Sequence, residues 1–182
     1  PRIKTKRLYD NGLANNKWEY FDDYRTLRQA QPYEVAARGT EIRCGAVQIE
    51  VLYPAPNQNP VDNLNATSLA MMIRFGAFRL LHMGDLAGDG AAEFLHNPLE
   101  LEADVIKIAH HGAADAASRE LLERVSPDLA LISTAADNRI GSPDSAVLTR
   151  LDDMNIAYLR TDQNGDIVVH VNQGSYAVRP GQ

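Results

Sequence analysis

The chain has a single cysteine, Cys44, no surplus of basic residues and no long apolar run. One cysteine excludes an internal disulfide framework and any metal site built on several thiolates of this chain. Cys44 stands in the strand-like run Glu41 to Cys44 and reads as a small buried apolar residue. Net charge is −6 and the pI is near 5.3, which argues against a broad basic surface for nucleic acid. A local groove stays compatible with that charge, because a bound metal would add positive charge where a phosphate must sit. No apolar stretch approaches the length of a membrane span, and no signal-peptide pattern is visible in a sequence that opens at Pro1. What remains is an ordinary globular composition, 45% apolar and 23% charged over 182 residues, a one-domain length with room for a sizeable core.

Hydrophobic periodicity divides the chain into short elements. Pro1 to Tyr9 alternates as a weak strand closed by the turn Asp10-Asn11-Gly12. Trp18 to Gln31 has helical spacing with an aromatic stripe that reads as core, and Pro32 ends it. Glu41–Cys44 and Val47–Tyr53 form a hairpin pattern about Gly45, and the Pro- and Asn-rich stretch Pro54 to Asn63 is a loop suited to a rim or flap. Ser68 to Phe75 and Phe78 to Met83 read as a second hairpin, and Ala91 to Leu95 as a short helix closed by Pro98. Val105 to Ala109 is nearly all apolar, as a central strand would be. Beyond it come a helix over Ala114 to Val125 with Ser118, Leu121, Leu122 and Val125 inward, a strand at Leu129 to Ser133, a helix over Asp144 to Met154 and a strand at Ile156 to Arg160. Asn164-Gly165 turns into two last strands, Asp166 to Val171 and Ser175 to Val178. This order predicts an α/β (α+β) fold with helices layered outside a mixed sheet, in a single domain over 1–182 with no repeat and no dividing linker.

Two of the apolar strands stop in residues that chemistry can use. Arg79 to Met83 runs into Gly84-Asp85, and Val105 to Ala109 runs into His110-His111-Gly112. A carboxylate or imidazole at a strand end is held more firmly than one on a loop, and Asp with neutral His is a donor set suited to zinc, manganese or iron. Alone, Gly-Asp after a strand is an ordinary turn or helix cap; the two stops together point to a site. The other histidines read as structural: His82 inside a strand, His96 at a helix end where a cation is favourable, and His170 on a terminal strand. Asp22-Asp23 and Asp152-Asp153 read as solvated pairs, and Gly88-Asp89-Gly90 lacks the spacing of a phosphate loop.

The runs Asn65 to Leu69, Leu80 to Asp85 and Ala103 to Gly112, continued by Ile132-Ser133, Asn138, Gly141-Ser142-Pro143 and Arg160 to Gly165, resemble the C-terminal half of a metallo-β-lactamase-fold hydrolase. The branch most similar is the ComEC-like one, that of the competence DNA-uptake proteins. The resemblance implies an incomplete αββα sandwich, its second half, and a metal-dependent hydrolase of phosphodiester or nuclease type. It implies two divalent ions, zinc or manganese, in the complete domain. It assigns Asp85 as the bridging aspartate and His110 as the late histidine ligand, with His111 as the catalytic assistant. Asn65 would be a weak ligand or a substrate contact, and Ser68 and Asn138 would line the substrate pocket. The family's first metal motif, His-x-His-x-Asp-His, is absent from this chain. Ser142 stands where the pattern has His before Pro, and Ala113 where it has Ser after His-His-Gly. The expectation is that an upstream segment supplies the missing half and its ligands, with nucleic acid or another phosphodiester as partner. Two further readings stay open: a degenerate domain that binds without catalysing, and a β-lactam or thioester hydrolase of the same fold.

Overall fold

The computed structural model describes residues 6–14, 19–58, 63–172 and 174–181. The first five positions of the expected opening strand, the expected start of the first helix at Trp18, and 59–62 of the loop lie outside these residues. A small N-terminal unit comes first: β1 (Leu8–Asp10), α1 (Phe21–Gln29) and β2 (Tyr33–Val35), with the two strands paired in parallel. Of the aromatic stripe, Phe21 is buried, while Tyr20 is 55% exposed and Leu27 58% exposed. The stripe is therefore only in part the core that its spacing predicted.

The body of the molecule is a seven-stranded sheet whose spatial order is its sequence order. Its strands are β3 (Glu41–Cys44), β4 (Val47–Tyr53), β5 (Ala70–Phe75), β6 (Phe78–His82), β7 (Val105–Lys107), β8 (Leu129–Ile132) and β9 (Ala157–Arg160). Hairpins make β3 to β6 antiparallel, and helical crossovers make β6 to β9 parallel. The crossovers carry α2 (Asp89–His96), α3 (Arg119–Val125) and α4 (Ser145–Asp153), and a final turn of helix, α5 (Thr161–Asn164), leads to the hairpin of β10 (Ile167–Asn172) and β11 (Ser175–Pro180). Among the described residues no helix is long and apolar enough to cross a membrane.

Register decides which side chains meet. Met72, Leu81, Ile106, Ala130 and Tyr158 lie in one row across β5 to β9. The first four are fully buried, under Phe94 of α2, Leu121 and Leu122 of α3, and Val147 and Leu151 of α4. Each of these large side chains contributes about 1.5–3 kcal/mol by leaving water. The opposite face carries Phe78, Leu80, Val105, Leu129, Leu131 and Leu159, covered by Val169, Val171, Tyr176 and Val178 of the last hairpin. The rings of Phe78 and Tyr176 stand 5.4 Å apart. One sheet face is thus roofed by helices and part of the other by a small second sheet, the α/β layering that the order of elements predicted.

Local chemistry moves several boundaries. Ser118, expected on the inward face of α3, is its N-cap, its hydroxyl accepting from the Leu121 N–H at 3.1 Å. Asp144 caps α4 in the same way, through the Ala146 N–H at 2.8 Å. Cys44 is exposed, not buried, because it closes β3 beside the hairpin turn on the outer strand of the sheet.

Candidate active site

Parallel strands deliver their carboxyl ends to one edge of a sheet, and the turns that follow them form the natural place for a site. Here that edge gathers Gly84-Asp85 after β6, His110-His111 after β7, Ser133-Thr134 after β8 and Thr161 after β9. Because β5 runs the other way, its leading turn, a short 3-10 turn over Leu64–Thr67, reaches the same edge with Asn65 and Ser68. A cleft of about 460 Å³ opens there, lined by Asp10, Asn11, Ser68, Leu69, Met71, His82, Gly84 and Asp85. Gly84 is required by the approach of two backbones: it has φ +55°, and a Cβ at that position would lie 2.9 Å from the Leu69 carbonyl oxygen.

His110 and His111 both adopt the left-handed region, at φ 43° and 56°. That conformation costs a non-glycine residue on the order of 1–3 kcal/mol and persists only where the surroundings enforce it. Its consequence is to turn the two rings apart, with centroids 6.2 Å from each other in tilted planes. His111 Nδ1 lies 2.7 Å from the carbonyl oxygen of Ser133. A carbonyl only accepts, so Nδ1 carries the proton and Nε2 keeps its lone pair. That Nε2 faces Asp85, 3.9 Å from Oδ2, too far for a hydrogen bond. His110 turns the other way. The amide nitrogen of Asn65, which only donates, lies 3.1 Å from His110 Nε2, and among the described residues Nδ1 of the same ring is buried without a hydrogen-bond partner.

The structure therefore brings Asp85 to His111, and Asn65 to His110, whereas the resemblance had implied Asp85 and His110 as the ligand pair and His111 as the assistant. Ser68 lines the cleft beside Asp85. Asn138 does not act from the cleft wall. Its amide donates to the carbonyls of Ala135 at 2.6 Å and Ser142 at 2.7 Å and accepts from the Ser142 N–H at 3.0 Å, so it braces the loop after β8. That loop presents the Ser133 carbonyl to His111. Both ends of the Asn138 amide are thus engaged within the loop.

Two donor atoms each about 2.0–2.2 Å from a tetrahedral zinc stand about 3.4 Å apart, somewhat closer than the 3.9 Å between His111 Nε2 and Asp85 Oδ2. Among the described residues, however, no three His, Cys, Asp or Glu side chains cluster closely enough to hold an ion. Asp85 and His111 fit one edge of a coordination sphere and do not complete it.

Several contributors were not singled out from the sequence. Asn11 donates to the Thr67 carbonyl oxygen at 2.8 Å and so ties the β1 turn to the turn that carries Asn65. Asp10 sits in a knot: it accepts from the Tyr33 hydroxyl at 2.7 Å, the Gly12 N–H at 2.7 Å, Arg28 at 3.1 Å, and the Tyr24 hydroxyl. Burial alone would raise the Asp10 carboxyl, but these donors outweigh it and hold the group below the usual range. Burial, then the Asp10 carboxylate, push both phenols up to about 12. His82 and Lys107 pair in register on β6 and β7, and burial lowers both, with Lys107 a further cause for His82. One signal was available in the sequence: His82 and Lys107 each stand three residues before a candidate site residue, Asp85 and His110.

The chain folds as a layered α/β domain with a mixed sheet whose strand-end edge bears Asp85, His110 and His111. No family model matches the chain. It is 32% identical over 165 residues to ComE operon protein 3 of Bacillus subtilis, covering 87% of this chain and 21% of that protein. It is also 30% identical over 149 residues to competence protein ComA of Neisseria gonorrhoeae, covering 80% of this chain and 21% of that protein, so the chain spans about a fifth of the length of either relative. Among solved structures it is similar to a protein of Parabacteroides distasonis described as a metal-dependent hydrolase, at TM-score 0.48 and 13% identity, covering 87% of this chain and 77% of that one. It is also similar to a protein of Thermotoga maritima described as a zinc-dependent hydrolase of the metallo-β-lactamase superfamily, at TM-score 0.38 and 11% identity, covering 72% and 59% of the two chains.

Proposed function

We propose that this segment is the C-terminal part of a metal-dependent hydrolase domain that cleaves phosphodiesters, with nucleic acid as the substrate class. The observation that carries the reading is the Asp85 carboxylate facing the unprotonated Nε2 of His111 across 3.9 Å, at the ends of adjacent parallel strands. The similarity to competence protein ComA supports nucleic acid as the phosphodiester in question. The remaining donors, of the His-x-His-x-Asp-His kind, come from a segment outside this chain.

A divalent ion, zinc or manganese, would supply activation of water and neutralisation of phosphate charge when bound. The residues of this chain prepare for it. Asp85 presents a carboxylate fixed by the Gly84 turn. The Ser133 carbonyl sets the His111 tautomer so that Nε2 stays a donor atom. Asn65 anchors His110 and with it the left-handed turn that aims His111, and Ser68 offers a hydroxyl to substrate on the cleft wall.

The test is metal content and phosphodiesterase rate of the full-length parent protein with Asp85→Ala and His111→Ala. Loss of both properties in both variants is expected, and unchanged occupancy and rate would remove the proposal. A second reading, a domain that binds without cleaving, is favoured by the incomplete donor set among the described residues. It predicts a folded, metal-free and inactive parent.

A further inference from the structure

A second cavity, of about 230 Å³, lies between α2 and α3. Both helices follow the strand ends that carry Asp85 and His111. Met83, Leu86, Phe94 and Leu121 line the cavity and are buried, so they form its floor. Gly88 and Asp115 line it and are exposed, so they stand at its mouth. Leu86 follows Asp85 directly, and Asp115 comes four residues after His111. The cavity is therefore walled by continuations of the two turns that form the candidate site.

Asp115 Oδ2 accepts the Gly88 N–H at 2.9 Å and joins those two continuations. Among the described residues this is the one hydrogen bond of the carboxylate. An ionised carboxylate has about four lone-pair sites, so acceptor capacity is left at the mouth. Floor and mouth together limit the occupant. The floor is apolar and gains from a ligand that covers it. The size suits a ring and not a long chain, since a cavity of about 150 Å³ already takes a benzene. The carboxylate repels an anionic head group and favours an N–H donor. A neutral ring with an amino group meets all three conditions. A phosphodiester held at Asp85 brings such rings with it, because in a nucleic acid a few bonds separate each phosphate from a base.

We infer that the cavity between α2 and α3 seats an amino-bearing nucleobase, cytosine above all, with the Asp115 carboxylate accepting its N4–H. Cytosine is the base whose amino group pairs with a carboxylate, whereas thymine presents the O4 acceptor at the same place. The choice of a base as occupant rests on the hydrolase reading; the cavity and its carboxylate do not.

The test uses the full-length parent protein, freed of metal with a chelator, and free nucleosides observed by saturation-transfer NMR. Saturable binding of cytidine is expected, about 10-fold or more tighter than that of thymidine. Ala91 lines the cavity from α2, and Ala91→Leu fills it, so neither nucleoside should bind. Asp115→Asn keeps an oxygen for the Gly88 N–H and offers the ligand an amide donor in place of an acceptor. It should lower cytidine affinity by about 10-fold, raise that of thymidine and so reverse the preference. Circular dichroism checks that each variant is folded, and Asp115 is exposed, so its variant tests the inference even where Ala91→Leu fails to fold. Absence of saturable cytidine binding by the wild type, undiminished binding by a folded Ala91→Leu protein, or an unchanged preference in Asp115→Asn would each overturn the inference. The nucleosides carry no phosphate and the assay contains no metal, so such a failure leaves the hydrolase reading standing. Failure of the metal-content test likewise leaves the nucleoside result unchanged.

Discussion

Asn65 and His110, 45 residues apart in the chain, meet with the amide nitrogen 3.1 Å from the imidazole Nε2. This contact fastens the turn before β5 to the turn after β7 and so sets the direction in which His111 points. Asn65→Ala removes it while leaving the core untouched. Stability should fall by no more than about 0.5–1.5 kcal/mol, the net worth of one hydrogen bond, measured by urea unfolding. The phosphodiesterase rate of the full-length parent should fall by about 10-fold or more, because an angstrom of misplacement at a reacting centre is expensive.

The two histidines should separate in their effects. His111→Ala and Asp85→Ala each remove one of the facing donors, so bound zinc or manganese, read by elemental analysis, should drop in both. His110→Ala removes the anchor and not a donor of the pair. It should retain more metal than His111→Ala while losing rate. Greater metal loss in His110→Ala would restore the pairing of Asp85 with His110.

Gly90, at the start of α2, lies against the turn that carries Asn65: a Cβ there would stand 2.0 Å from the Ala66 carbonyl oxygen. That atom is backbone and has little room to yield. Gly90→Ala should therefore destabilise the protein by roughly 1–3 kcal/mol through overpacking, seen as a lower denaturation midpoint with unchanged slope. Activity should fall with it, since the displaced turn includes Asn65.

The knot about Asp10 makes stability depend on pH at both ends. The Asp10 carboxyl is held below its unfolded value of 3.8, so its contribution is present above that pH and is lost as pH falls through the lower folded value. Tyr24 and Tyr33 are raised from 10.0 to about 12. Their contribution is complete below pH 10 and disappears as pH rises towards 12. Phenolate absorbance should show a late-titrating component near pH 12, to which Tyr53, likewise raised to about 12, also belongs. Tyr24→Phe and Tyr33→Phe should each diminish it.

Much of the fold could be read from the sequence where pattern and packing agree. Val105 to Ala109 reads as a central strand, and Val105, Ile106, Ile108 and Ala109 are fully buried. The regular strand is shorter, Val105–Lys107, because the chain then bends to bring its two histidines to the edge. The stops at Asp85 and at His110-His111 were legible because each ends an apolar run with residues that a core would not tolerate. The different partners of the two histidines were not. They depend on a left-handed backbone at both and on where a carbonyl from β8 falls, and neither leaves a mark on local pattern. The loop bonds of Asn138 could not be read from the sequence, because a loop staple and a substrate contact use the same amide. His82 reads as a structural strand residue, and register sets it beside Lys107.

Cys44 closes β3 beside the hairpin turn, and the alternating directions of β3 to β6 put that turn at the end of the sheet away from Asp85. It is exposed, and no other thiol competes with it. A nitroxide attached there would label the protein at one point without touching the strand ends. Manganese is paramagnetic, so spin–spin distances from that label would locate a bound ion directly.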